Sequence, residues 1–140
     1  MADIDEEEHP SIWFLTREQT LILHRQGIER YTPGEPLDIV NNANLESALA
    51  QPQATLAGQF LYDSAAKMAA AYMFSFASNH AFLQGNKRLA LSASTTFLRM
   101  NGYRLALTDD EAADLILQIA TGEIEQDQAA EIVEGAIEIR

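Results

Sequence analysis

Residues Ala65 to about Asn79 constrain the fold more than any other stretch. Met68, Ala69, Ala70, Tyr72, Met73, Phe74, Phe76 and Ala77 place apolar side chains around most of a helical surface, and Asp63 and Ser64 before them are good N-cap residues. A helix of this kind must be enclosed, so the rest of the chain has to wrap it. At 140 residues the chain is long enough to bury a substantial core as one domain. Hydrophobic residues make up 47% of it, Ala, Leu and Glu are abundant, and alternating β-branched runs are scarce, which predicts an all-α, compact helical bundle.

The flanking segments supply candidate neighbours. Thr16-Arg17-Glu18-Gln19 has the form of a capping box and opens a helix carrying Leu21, Ile22 and Ile28 to near Tyr31. His24 on that helix has no second ligand at metal spacing and reads as a packed or surface histidine. Asn41 to Asn44 can cap a short helix with Leu45, Ala48 and Leu49, which Pro52 stops. Gln53 to Tyr62, with Gly58 near its centre, fits either a loose hairpin or an irregular loop. Asn86 to about Met100 reads as an amphipathic helix closed by Asn101-Gly102. Thr108-Asp109-Asp110-Glu111 opens another helix, running to Gly122, and a last one is expected from about Glu125 to Ile139. Residues 1–12 read as an acidic flexible lead and 13–140 as the helical domain.

The formal net charge is −12, which repels phosphate backbones and argues against nucleic acid as a partner. There is no cysteine, so disulfides and thiolate metal sites are excluded. The acidic N-terminus lacks the basic-then-apolar form of a secretory signal, and no apolar run is long enough to span a bilayer. A cytoplasmic location and no membrane association are expected.

Chemistry concentrates in His80-Ala81-Phe82-Leu83-Gln84-Gly85-Asn86-Lys87-Arg88. A glycine before a helix start lets backbone N–H groups converge on an anion at the positive end of the helix dipole. Asn86 can add amide donors, and Lys87 and Arg88 can neutralise phosphate. His80 is the nearby group able to take a proton at neutral pH. Phe82 is best read as an aromatic anchor that fixes the loop's shape. The alternative is an ordinary turn followed by a solvated first helical turn. Cations are electrostatically misplaced at a helix N-terminus, which favours a bound anion there.

This stretch resembles the signature of the Fic/Doc family, His-x-Phe-x-(Asp/Glu)-Gly-Asn-(Gly/Lys)-Arg, at His80, Phe82, Gly85, Asn86, Lys87 and Arg88. Asn-Lys-Arg is the form of the Doc (death-on-curing) toxin branch. Phe97-Leu98-Arg99-Met100-Asn101-Gly102-Tyr103, Leu45-Glu46-Ser47-Ala48-Leu49 and Pro52-Gln53-Ala54-Thr55 are similar to Doc as well. The resemblance implies a transferase that moves a phosphoryl group, or alternatively AMP, from ATP to a Ser or Thr hydroxyl, with His80 as catalytic base and Gly85 to Arg88 on the phosphates. It implies Mg2+ on the nucleotide, a target such as the translation factor EF-Tu, a Phd-like antitoxin, and a flap around Thr55, Leu56 and Ala57 that aligns the target.

Two positions depart from the pattern. Gln84 stands at the metal-holding acidic position and offers a neutral oxygen, so metal affinity should fall and the chain could be a nucleotide-binding or regulatory module with impaired catalysis. Leu91 stands where the adenylylating branch has a second arginine, which favours phosphoryl over AMP transfer.

Overall fold

The computed structural model describes residues 11–140, so nearly all of the expected acidic lead lies outside the described residues. The architecture is helical: α1 Arg17–Tyr31, α2 Asn42–Ala50, α3 Ala65–Asn79, α4 Asn86–Met100, α5 Asp109–Ala120 and α6 Gln126–Ala136. Two small antiparallel sheets accompany them, β1 Thr55–Leu56 with β2 Gln59–Phe60, and β3 Tyr103–Leu105 with β4 Ile137–Ile139. Among the described residues no helix is long and apolar enough to cross a membrane.

The helix starts follow from the capping residues. Thr16 Oγ1 accepts the Gln19 amide at 3.1 Å while Gln19 Oε1 accepts the Thr16 amide at 2.9 Å, and Thr108 and Glu111 repeat the arrangement on α5. Asn41 caps α2 and Ser64 caps α3 in the same sense. Between α2 and α3 the chain makes a short 3₁₀ turn at Gln51–Gln53, then the β1–β2 hairpin. Ala57 and Gly58 both have positive φ, 54° and 80°, the backbone that a two-residue hairpin turn requires. The hairpin alternative for this segment is therefore the one adopted.

One helix boundary differs from expectation. The last helix ends at Ala136, and Ile137–Ile139 turns into β4, with Tyr103 opposite Ile139 and Leu105 opposite Ile137. β-branched residues at alternate positions suit a pleated strand, and the Arg104–Glu138 ion pair bridges the two strands.

α3 lies at the centre. Its buried residues include Met68, Ala69, Ala70, Ala71, Tyr72, Met73 and Phe76, and it packs most extensively against α4 and α6. The alanines let neighbouring backbones approach closely. Tyr72 fills the joint with α4, its ring 5.1 Å from that of Phe97. Full burial of such a side chain contributes about 1.5–3 kcal/mol.

Tyr72 also ties down the segment before α1. Its hydroxyl accepts the buried Leu15 amide at 3.0 Å, and burial pushes the phenol up to about 12. Asn101 holds the neighbouring residue, accepting from the Trp13 amide at 3.0 Å and donating to the Trp13 carbonyl at 2.9 Å. Tyr72→Phe keeps the ring but leaves the Leu15 N–H unpaired in the core. It should cost about 1–3 kcal/mol, read as a lower urea midpoint with an unchanged slope.

Candidate active site

α3 ends by turning its last residue out of the helix. His80 adopts the left-handed conformation (φ 49°, ψ 50°), which a β-carbon makes costly and which persists only where the surroundings fix it. Those surroundings are visible in the main-chain hydrogen bonds. Asn44 Nδ2 donates to the Asn79 carbonyl at 2.6 Å, and the Ala81 carbonyl accepts from the Val40 and Asn41 amides at 2.9 and 3.2 Å. The Leu83 amide donates to the Asp38 carbonyl at 3.0 Å. Phe82 is buried, its ring stacked on His24 with centroids 3.7 Å apart and planes 16° from parallel.

The loop closes on itself through Asn86. Its Oδ1 accepts the Phe82 amide at 3.1 Å and its Nδ2 donates to the Phe82 carbonyl at 2.8 Å. One of the two side-chain donors expected to face an anion is thus engaged within the loop, and Asn86 has the second Nδ2 hydrogen and its backbone N–H left to offer. This clasp is also what keeps His80 near the start of α4, since Phe82 lies only two residues beyond it.

α4 starts with Gly85 at φ 81°, and no side chain caps it. Its first backbone bond runs from the Leu89 amide to the Gly85 carbonyl at 2.9 Å, and the amides of Asn86, Lys87 and Arg88 have no acceptor among the described residues. The carbonyls of Asn79, Ala81, Phe82 and Gln84, by contrast, all have donors. The stretch therefore presents an excess of donors at the positive end of a helix dipole, the electrostatic condition for holding phosphate oxygens.

Side-chain charge is arranged less simply. Lys87 is exposed and makes no ion pair among the described residues. Arg88 is exposed too, but its guanidinium lies over the Tyr31 ring, 5.1 Å from the centroid, with Nη1 3.3 Å from Thr32 Oγ1. It rests against the C-terminal end of α1, where unpaired carbonyls attract a cation.

Gln84 is exposed, and its main-chain oxygen accepts from His24 Nε2 at 2.7 Å. Among the described residues no three His, Cys, Asp or Glu side chains converge on a point that could hold a metal ion.

Thr55, Leu56 and Ala57 are exposed on the hairpin, whose base is closed by the Leu61 amide bonding the Ala54 carbonyl at 2.8 Å. Cavities of about 470 and 360 Å³ lie elsewhere, one lined by Tyr62, Lys67, Asp127 and Glu134, the other by Ile12, Phe60, Phe97 and Tyr103. Neither is lined by a residue of the 80–88 stretch.

His24 and Asn44 are the residues that sequence reasoning did not bring to the site. Thr20, His24 and Ile28 form a buried i, i+4 stripe, which signals that the histidine points inward, but its partner is 60 residues away and leaves no local trace.

A β-carbon on Gly85 would lie 3.1 Å from Ile28 Cδ1 and 3.4 Å from His24 Nε2, on a backbone that L side chains rarely adopt. Gly85→Ala should therefore cost about 1–3 kcal/mol and displace the loop, visible as a lower thermal midpoint and shifted amide resonances for residues 82–88.

Comparison with known proteins identifies the family. A model of the Fic/DOC family matches residues 14–98, from the segment before α1 into α4. The Toxin Doc of Mycolicibacterium smegmatis is 40% identical over 99 residues, 69% of this chain and 76% of that protein. The Protein kinase doc of Escherichia phage P1 is 32% identical over 119 residues, 84% of this chain and 90% of that protein. The chain belongs to the Fic/DOC family.

Proposed function

We propose that the protein is a Doc-like toxin of the kinase type, a transferase that moves the γ-phosphoryl group of ATP to a Ser or Thr hydroxyl of a protein target. The observation that carries this reading is the set of unpaired amides at the start of α4, clasped by Asn86 to the loop that bears His80. The names of its relatives, a toxin and a protein kinase, support the same class. EF-Tu as target and a Phd-like antitoxin as partner belong to this proposal, resting on the resemblance to Doc.

In the proposed reaction the amides of Gly85 to Arg88 hold the nucleotide phosphates, and Lys87 adds charge. Arg88 reaches them by leaving Tyr31. The target's hydroxyl oxygen attacks the γ-phosphorus, the bond to the β–γ bridging oxygen breaks, and ADP departs. His80 takes the hydroxyl proton. Little covalent work falls to the protein, since positioning and charge neutralisation supply most of the acceleration in phosphoryl transfer. Mg2+, when bound with the nucleotide, supplies further neutralisation of the phosphates. Leu91, in place of an arginine, favours phosphoryl over AMP transfer.

Gln84 supports a second reading, a nucleotide-binding or regulatory module without turnover, because it brings no charge to the metal. Calorimetric ATP binding with no labelled product would select it.

Incubation of the purified protein with cell lysate and ATP labelled at either the γ or the α phosphate tests the proposal. Label from the γ position alone indicates phosphoryl transfer, and label from the α position indicates AMP transfer. His80→Ala should lower γ-label transfer at least about 100-fold with the circular dichroism spectrum retained, and equal labelling would remove His80 from the chemistry. Gln84→Asp should lower the magnesium concentration that gives half-maximal transfer, because a carboxylate binds the ion more tightly than an amide.

A further inference from the structure

We infer that His24, on α1, is a positioning residue that keeps the phosphate-binding amides at the start of α4 unpaired and correctly aimed. This rests on the reading of Gly85 to Arg88 as a phosphate cradle.

His24 meets the loop at three points. Its ring stacks on Phe82, its Nε2 is 2.7 Å from the Gln84 carbonyl oxygen, and the same nitrogen lies 3.4 Å from where a β-carbon on Gly85 would sit. The ring is buried among the residues that line the inner face of α1. Burial lowers its proton affinity and outweighs the opposing effect of the bond to Gln84, so the imidazole is held neutral. A neutral ring that donates from Nε2 has a defined tautomer, with the proton on the nitrogen that faces Gln84.

The consequence lies in the helical register. Gln84 precedes Arg88 by four residues, so its carbonyl is the acceptor that would pair with the Arg88 amide if the helix began one residue earlier. In the structure that carbonyl is turned to His24, and the Arg88 amide has no acceptor among the described residues. His24 thus stops α4 from winding back into the loop. It also draws a partial negative charge away from the place an anion would occupy. A β-carbon on Gly85 would press on Ile28 Cδ1 at 3.1 Å and just touch the His24 ring at 3.4 Å, so α1 adds a steric demand for glycine to that of the positive φ.

Two polar substitutions of different reach separate this role from simple filling of space. In His24→Gln the side-chain amide nitrogen reaches about as far as Nε2, whereas in His24→Asn it stops one methylene short. His24→Gln should keep the KM for ATP within about threefold of the natural protein. His24→Asn should raise it about tenfold, the equivalent of one lost hydrogen bond, with kcat changed less than about threefold because α3 still delivers His80. Equal KM values for the two variants, or a KM rise that tracks the thermal midpoint, would overturn the inference.

Hydrogen exchange at the Phe82 and Leu83 amides supplies a readout independent of turnover. It should be faster in His24→Asn and unchanged in His24→Gln, and the same rate in both variants would overturn the inference. If the natural protein transfers no phosphoryl group, the proposed activity fails, while the exchange comparison and calorimetric ATP binding still decide the role of His24.

Discussion

The enclosure of α3 is the constraint on which the rest of the structure depends. A helix with Met68, Tyr72, Met73 and Phe76 buried beside Ala69, Ala70 and Ala71 has no large face to give to water, so α2, α4, α5 and α6 are each packed against it. Its two ends are the places where chain can emerge. One end receives the hairpin from α2, and the other releases His80. Functional groups at a helix terminus inherit the rigidity of the helix, and here that rigidity comes from the best-packed element of the fold.

The loop after α3 shows how a short segment can be well ordered and still leave donors free. Order comes from three of its carbonyls, bonded to donors from the 40–41 backbone, Asn86 and His24, and from the last carbonyl of α3, bonded to Asn44. The amides that follow are left unpaired. Any helix start leaves its first amides without intrahelical acceptors, and here no side chain caps them. Exposed as they are, these donors are open to solvent or to an anion.

Much of the fold was legible because the signals are local. Thr16, Asn41, Ser64 and Thr108 each announce a helix within four residues, and all four cap one. β3 and β4 were not legible, since Ile137–Ile139 matches a helical pattern until Tyr103–Leu105 is available as a partner, and that pairing joins residues 34 apart. The motif positions in the candidate site followed from residue order alone. The commitment of the Asn86 side chain to Phe82, the resting place of Arg88 on Tyr31, and the contact of His24 with Gln84 did not, because each depends on a contact geometry that residue identity does not encode.

The turn at Asn101-Gly102 gathers both flanks of the described chain. Asn101 binds Trp13, 88 residues earlier, and the Gly102 carbonyl accepts from the Arg140 amide at 2.9 Å. Such distant pairings close long loops and are slow to form, whereas α3 and α4 are joined by a short connection. Assembly is therefore expected to begin with that helical pair and to finish when the flanks dock. Breathing motions should reverse the order, loosening residues near Trp13 and Arg140 first and the buried middle of α3 last.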